Sequence, residues 1–229
     1  MILSGGLALI GGAIGFLSVF SYLAAKFDYP EVLDGRAADV LPALLATGAS
    51  GRAAWAFYAL LPLIWIPAAT GASEALRSRA AGILRLAGLS AFLASFAMML
   101  GLMRWPTIHW ELARAWNPAG DSGRIVLDAL FDGLNRYLGN YVGEFLGELG
   151  FSAFFVLTGI ALRRAGSRRF GSLGIATGVL GLVGIWRNVF TDAAVVRAVA
   201  DGNNYLLPLW MLAFGAWLVS ASRRPGTVR

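Results

Sequence analysis

Five residues of the chain whose side chains could do chemistry lie on one line. Arg136, Asn140, Glu144, Glu148 and Ser152 follow one another at intervals of four. In an α-helix that spacing forms one slowly drifting stripe. A guanidinium, an amide, two carboxylates and a hydroxyl on a common face can exchange protons, hold a charged small molecule, or pair among themselves. Glu144 and Glu148 fall inside an apolar run, where charge is costly, so at least one is expected to be neutral at pH 7 unless paired with a cation. Cations are at hand. Arg104 closes one apolar run, Arg136 opens the stripe, and Arg187, followed by Asn188, lies near the end of another. The candidate site is therefore Glu144, Glu148, Arg104, Arg136, Asn140, Arg187 and Asn188, read as the lining of a polar cavity that opens outward.

Most other chemistries lack their parts. There is no cysteine and a single histidine, His109, which leaves thiol nucleophiles, iron–sulfur clusters and Cys/His zinc sites without ligands. His109 reads as a surface-loop residue with no second histidine near it, so neither a metal site with the glutamates nor any cofactor is expected. Ser152 stands in Gly150-Phe151-Ser152-Ala153-Phe154, not in the Gly-x-Ser-x-Gly setting of a nucleophile elbow. Gly171, Gly174, Gly178, Gly181 and Gly184 come with no strand and no Gly-Lys-Ser/Thr, and read as a close-packing face, not a phosphate loop.

The elements that must position these residues are membrane helices. Of 229 residues, 58% are hydrophobic and 14% charged, and the mean hydropathy is +0.66, a balance foreign to soluble enzymes. Six runs at 5–25, 54–73, 86–103, 137–162, 171–190 and 204–221 have about the length needed to cross some 30 Å of hydrocarbon. In lipid they must be helical to satisfy their own backbone. The first run lacks a basic leader and exceeds the usual apolar core of a signal peptide, so it is expected to be a retained span. The fold class is thus all-α, a polytopic membrane protein whose six transmembrane helices form one domain over 1–229. Gly139, Gly143 and Gly147 beside the polar stripe let another helix approach closely and turn the stripe inward. At helical rise Glu144 lies about 10 Å and Glu148 about 17 Å below Tyr137. Pro62 and Pro67 read as a static kink.

Charge sets the orientation. The formal charge of +6 is carried by 18 Arg and one Lys against 13 acids. The connections 74–85 and 163–170 and the tail 222–229 hold ten arginines against Glu74 alone, whereas basic and acidic residues nearly balance on the alternate connections. Positive-inside bias then places both termini in the cytoplasm and makes the basic clusters topology anchors, not nucleic-acid sites. The two long connections face outward. Leu33, Val40, Leu41, Leu44 and Leu45 suggest a short interfacial helix in the first. In the second, Trp105, Trp110 and Trp116 read as interfacial anchors around His109. A turn follows at Asn117-Pro118-Ala119-Gly120, then a helix capped by Asp121 or Ser122 that runs into the fourth span, with a bend at Gly133 or Gly139.

Several short strings resemble a bacterial membrane family, that of domain of unknown function 4386. They are Phe27-Asp28-Tyr29-Pro30-Glu31-Val32-Leu33, Arg104-Trp105-Pro106, and Tyr137-Leu138-Gly139 followed by Gly143-Glu144-Phe145-Leu146-Gly147. The resemblance covers most of the chain. It implies a six-span protein of the bacterial inner membrane and draws attention to Arg104 and Glu144, with no reaction attached. The family often carries a histidine after the glutamate of the Gly-Glu element. Here that place is Phe145, so no imidazole role carries over.

Three functions suit such a chain. It can bind or transport a small anionic or amphipathic molecule, with the arginines attracting it and the glutamates exchanging protons. It can act as an intramembrane enzyme on a lipid-like substrate, with Glu144 as base and Arg104 or Arg187 on the head group. Or it can be an accessory subunit whose glycine faces dock another membrane protein or a second copy of the chain. The first reading is preferred, because the stripe reaches so deep. Beyond the lipid bilayer, no partner is fixed by sequence.

Overall fold

A computed structural model describes residues 1–190 and 194–223, and among them every regular element is helical. Helix α1 spans Ile2–Phe27, and a 3-10 turn at Glu31–Asp34 leads to the short α2, Ala37–Ala46. Helix α3, Gly48–Leu60, passes through a 3-10 turn at Leu61–Ile64 into α4, Trp65–Met103. A π-helical turn at Trp105–His109 joins α4 to α5, Trp110–Trp116. Helix α6, Asp121–Leu134, continues as a π-helix over Asn135–Leu146 and then as α7, Gly147–Arg164. Helix α8, Arg168–Gly184, ends in a 3-10 turn at Ile185–Asn188, and α9 covers Ala194–Ser222. Pro62 falls in the 3-10 turn and Pro67 in the first turn of α4, where a missing N–H costs little. Arg224 and Arg229 of the basic tail, and Asp192 of the last connection, lie outside the described residues.

Among the described residues, five helical stretches are long and apolar enough to cross a membrane: Ile2–Phe27, Gly48–Trp116, Asp121–Arg164, Arg168–Asn188 and Ala194–Ser222. The second, at 69 residues, would measure about 100 Å if straight, over three times the hydrocarbon thickness. It is not straight. The Trp65 ring lies 4.3 Å from that of Phe151, while a Cβ on the neighbouring Gly150 would come within 2.8 Å of the Ala94 nitrogen. Residues 65 and 94 would be some 44 Å apart on a straight helix, yet both meet one turn of α7. The chain must therefore double back between them. Midway stands Ala80, whose backbone leaves the helical region at φ −157°, ψ 36°.

Packing follows membrane rules. On the second arm of α4, Ala87, Ala91, Ala94, Ala97 and Gly101 face inward, while Leu86, Leu89, Phe92, Phe96 and Leu100 are exposed. Small side chains inside and large ones outside suit lipid as the surrounding solvent, because close backbone approach replaces hydrophobic burial between helices. Glycines make the approaches. A Cβ on Gly171 would come within 2.4 Å of the Gly159 carbonyl oxygen, one on Gly178 within 2.6 Å of the Ser152 oxygen, and one on Gly101 within 2.5 Å of the Gly143 Cα. The expected glycine face between α7 and α8 is thus present. These are the helices of a multi-pass membrane protein.

The described residues form two cores. One runs through α1, α4, α7 and α9 and includes Leu9, Trp65, Phe154, Phe155, Trp210 and Phe214. The other is an outer layer, formed where α2, α5 and α6 cover the ends of α1 and α3, and contains Phe27, Val40, Leu41, Leu44, Trp55, Trp105, Trp110, Trp116 and Phe131. The expected short helix in the first long connection is α2, with Val40, Leu41 and Leu44 buried. Two expectations fail in the second connection. Trp105, Trp110 and Trp116 are core residues, none more than 7% exposed, because the third apolar run does not stop at Arg104 but continues helically beneath α6. The N-cap of α6 is Gly120 with no side-chain cap bond; Asp121 is already its first residue, as is common for a carboxylate placed in a helix's first turn. Over Asn135–Leu146, which includes Gly139, the backbone widens into twelve residues of π-helix.

Candidate functional site

The two glutamates meet one cation. Arg187 Nη1 donates to Glu148 Oε2 at 2.8 Å, and Nη2 donates to Glu148 Oε1 at 2.7 Å and to Glu144 Oε2 at 3.0 Å. Nη1 also donates to the Gly184 carbonyl at 3.1 Å. The 3-10 turn Ile185–Asn188 makes this reach: it ends α8 early and aims Arg187 back across to the π-helix and the start of α7. The fork-to-fork pairing with Glu148 is the strong form of the interaction. The three side chains remain 24%, 35% and 27% exposed for Arg187, Glu144 and Glu148, so the cluster is sheltered but accessible.

Arg104 occupies a second, buried position. Only 5% exposed, it donates through Nε to Asn135 Oδ1 at 3.1 Å and through Nη1 to the Gly101 carbonyl. Its guanidinium carbon lies 5.1 Å from the Trp105 ring centre. It fits only because residue 139 is glycine, where a Cβ would come within 2.6 Å of Nη2. Asn135 Nδ2 in turn donates to the Leu33 carbonyl at 3.0 Å, tying in the outer layer. Arg104 lies within electrostatic range of both Glu144 and Tyr29. The polar groups thus run from Leu33 through Asn135 and Arg104 to Glu144, Arg187 and Glu148, and the two arginines balance the two carboxylates.

The remaining candidates lie apart from this set. Arg136 is exposed. In a π-helix the hydrogen bonds run from i to i+5, so an interval of four falls short of a turn and the stripe rotates away from the face it would keep in an α-helix. The wider turns also make Glu144 shallower than an α-helical rise from Tyr137 implies. Asn140 is half-buried. Asn188 Nδ2 caps its own turn on the Ile185 carbonyl at 3.3 Å. Ser152, 2% exposed, packs under Gly178 and Gly181 of α8.

His109 overturns its surface reading. It is fully buried, with its ring centre 4.8 Å from those of Trp105 and Phe131, because the π-turn carries it beneath α6. Among the described residues no group of three or more His, Cys, Asp or Glu is arranged to hold a metal ion. Sequence reasoning also passed over Asn135, which hides beside the more conspicuous Arg136, and Arg52. The Arg52 Nε donates to the Pro106 carbonyl at 2.9 Å, and its guanidinium lies 5.2 Å from the Trp110 ring centre. A polar residue at the start of an apolar run was the only signal for either.

Among the described residues, the surface of the bundle carries shallow clefts. One of about 590 Å³ is lined by residues from Ala24 to Ala43, among them Lys26, Asp28, Glu31 and Asp39. Another, about 460 Å³, is bounded by Val179, Leu182, Val183, Trp186, Phe190 and Val196. Chemically, the arrangement is an accessible carboxylate pair held by one guanidinium, backed by a buried second arginine and bordered by apolar surface. No family model, curated protein or solved structure matches the chain, and the site therefore rests on its own geometry.

Proposed function

We propose that the chain is a six-span protein of the bacterial inner membrane, with both termini in the cytoplasm, that binds or carries a small amphipathic molecule at the Arg187–Glu144–Glu148 cluster. The reversal at Ala80 supports six crossings, since it divides the longest stretch into two arms. Membership of the family of domain of unknown function 4386 belongs to the same reading and rests on the strings around Arg104 and Glu144.

One observation carries the function: a partly exposed carboxylate pair shares one guanidinium where twelve residues of π-helix replace α-helix. π-Helix is rare, generally limited to single turns, and concentrated at functional sites. Ionisable residues at membrane depth are expensive and mark substrate or ion paths. A ligand that reaches either carboxylate must compete with Arg187 for it.

Native mass spectrometry of the protein, extracted gently from its own membrane, tests this. A small molecule retained by wild type and lost in Glu144→Gln/Glu148→Gln is the expected result. A clean apo mass in both, with unchanged melting temperature, refutes it and leaves the cluster as a fastening between helices.

A further inference from the structure

We infer that the arginine-rich end of the bundle binds an anionic phospholipid whose head carries two phosphodiesters, one held at the Ala80 reversal and the other at the turn between α7 and α8. This site lies apart from the Arg187–Glu144–Glu148 cluster and does not depend on the function proposed there.

Packing brings the arginines to one end. Along the second arm of α4, Gly101 meets Gly143, Met98 meets Gly147 and Ala94 meets Gly150, so each step along α7 is matched by a step back along the arm. Carried on at the same pace, that register sets Arg163 and Arg164 level with Ala80. Ala80, Leu84, Ala161 and Leu162 accordingly share one core. Arg77, Arg79 and Arg85 flank the reversal, and all three are exposed. Arg163, Arg164, Arg168 and Arg169 flank the turn and are exposed as well. That turn is tightly tied: the Gly166 N–H donates to the Arg163 carbonyl at 3.1 Å, and the Ser167 N–H to the Leu162 carbonyl at 2.9 Å. Neighbouring helices pack about 8–10 Å apart, which puts the two groups of guanidinia within reach of one head group.

The sign of this end is unambiguous. The start of α1 and the end of α9 come to it too, since a Cβ on Gly71 would lie 3.2 Å from the Met1 carbonyl oxygen and one on Gly6 2.8 Å from Val219 Cγ2. Within 1–5, 74–85, 163–170 and 219–229 the one acidic side chain is Glu74, already 3.9 Å from Arg77. Phosphate is the anion that a guanidinium fork fits best, two oxygens to two N–H groups. Two groups of arginines therefore match two phosphates on one head.

The surroundings favour a lipid over a soluble polyanion. Arg85 stands about 7.5 Å in from the reversal at helical rise, a depth from which an arginine reaches up to the head groups. Leu89, Phe92 and Phe96 continue from it on one helix face. All three are exposed, and the last two rings lie 4.6 Å apart. A phosphate on Arg85 thus leaves an acyl chain lying along an apolar stripe, whereas a nucleic acid has nothing to place there. Basic sites between helices at the membrane surface recognise such heads.

Tetraoleoyl cardiolipin, with two phosphodiesters, and dioleoyl phosphatidylglycerol, with one, are the probes. They are offered to the full-length protein in a neutral detergent at equal phosphate and read by native mass spectrometry. Wild type should retain cardiolipin about tenfold better. Arg79→Gln/Arg85→Gln and Arg163→Gln/Arg164→Gln, which each remove one side of the site, should each bring that ratio close to one. Arg114→Gln/Arg124→Gln, which takes as much charge from the opposite end, should leave it unchanged. Equal retention of the two lipids by wild type, a result that needs no variant, overturns the two-phosphate head, and retention of neither overturns the site. An unchanged ratio in either of the first two variants overturns the placement of that phosphate, and a ratio that also collapses in the third makes the effect one of overall charge. Pyrophosphate or decathymidylate retained as well as cardiolipin at equal phosphate overturns the lipid.

Discussion

Replacing Arg187 with methionine should expose how far the cluster depends on its single bridging cation. Methionine preserves much of the side chain's length and removes the charge. Glu144 Oε2 and Glu148 Oε1 both lie on Nη2, at 3.0 and 2.7 Å, so the two oxygens are separated by no more than those distances together, about 5.7 Å. At an effective dielectric near 20, two negative charges at that separation repel by about 3 kcal/mol. The carboxylates are 35% and 27% exposed, and solvent screening lowers the figure, giving an expected loss of about 1.5–3 kcal/mol. Glu148→Gln alone keeps the Glu144 bond and an amide oxygen for Arg187, and should cost less, about 1 kcal/mol. The decisive variant is the double, Arg187→Met/Glu148→Gln, in which one carboxylate remains and the repulsion is gone. It should be more stable than Arg187→Met by at least about 1 kcal/mol, a non-additivity characteristic of direct partners. Reversible unfolding in mixed micelles measures all three. Simple additivity, or a loss below about 0.5 kcal/mol for Arg187→Met, would show that the ion contacts do not govern this site.

Other outcomes follow from the same geometry. Gly101→Ala places a Cβ within 2.5 Å of the Gly143 Cα, backbone that cannot yield, and should cost about 1–3 kcal/mol by micellar unfolding; a neutral result would remove the close α4 contact. Asn135→Leu strands both the Leu33 carbonyl and Arg104 Nε, and should destabilise by about 1–3 kcal/mol, with faster hydrogen exchange in α2; unchanged exchange would uncouple the outer layer from Arg104. Burial, and then its neighbour Tyr58 at 3.4 Å, push the Tyr29 phenol well above its ordinary range. Its contribution is therefore whole below about pH 10 and is lost above it, as the unfolded chain ionises first. Wild type should lose more stability than Tyr29→Phe between about pH 9 and pH 11, and equal slopes would argue against that burial. The chain has no cysteine, so a single thiol at Asn117 should be labelled from outside intact cells and one at Ser167 only after lysis; the reverse pattern would invert the proposed topology.

Much of the scaffold was legible because lipid imposes simple rules. Length and apolarity located the long apolar helices, and the glycines of α7 and α8 announced a contact that the backbone indeed makes. Within the site, Glu144, Glu148 and Arg187 could be picked out because charge in an apolar run has to find a partner. What remained hidden depends on tertiary context. The four-residue rhythm from Arg136 to Ser152 presumes α-helical turns, and no residue type marks the widening of Asn135–Leu146 into π-helix, which is what leaves Arg136 outside the cluster. Tryptophan serves equally at an interface and in a core, so Trp105 and Trp116 could not declare which until α6 was seen to cover them. His109 was misplaced for the same reason.

The turn at Ala80 also makes the chain intolerant of length changes. A reversal made at a single non-helical residue between two packed arms has little slack with which to absorb an added residue. Between Ala80 and Arg104 lie twenty-three residues of unbroken arm, and each insertion there would rotate everything beyond it by about 100° and advance it by about 1.5 Å. Arg104 would swing out from beneath Gly139, and Gly101 would leave Gly143. Homologous chains should therefore vary freely in the composition of the lipid-facing side of this arm while conserving its residue count, so that the distance along the chain from hairpin to arginine behaves as a measured part of the site.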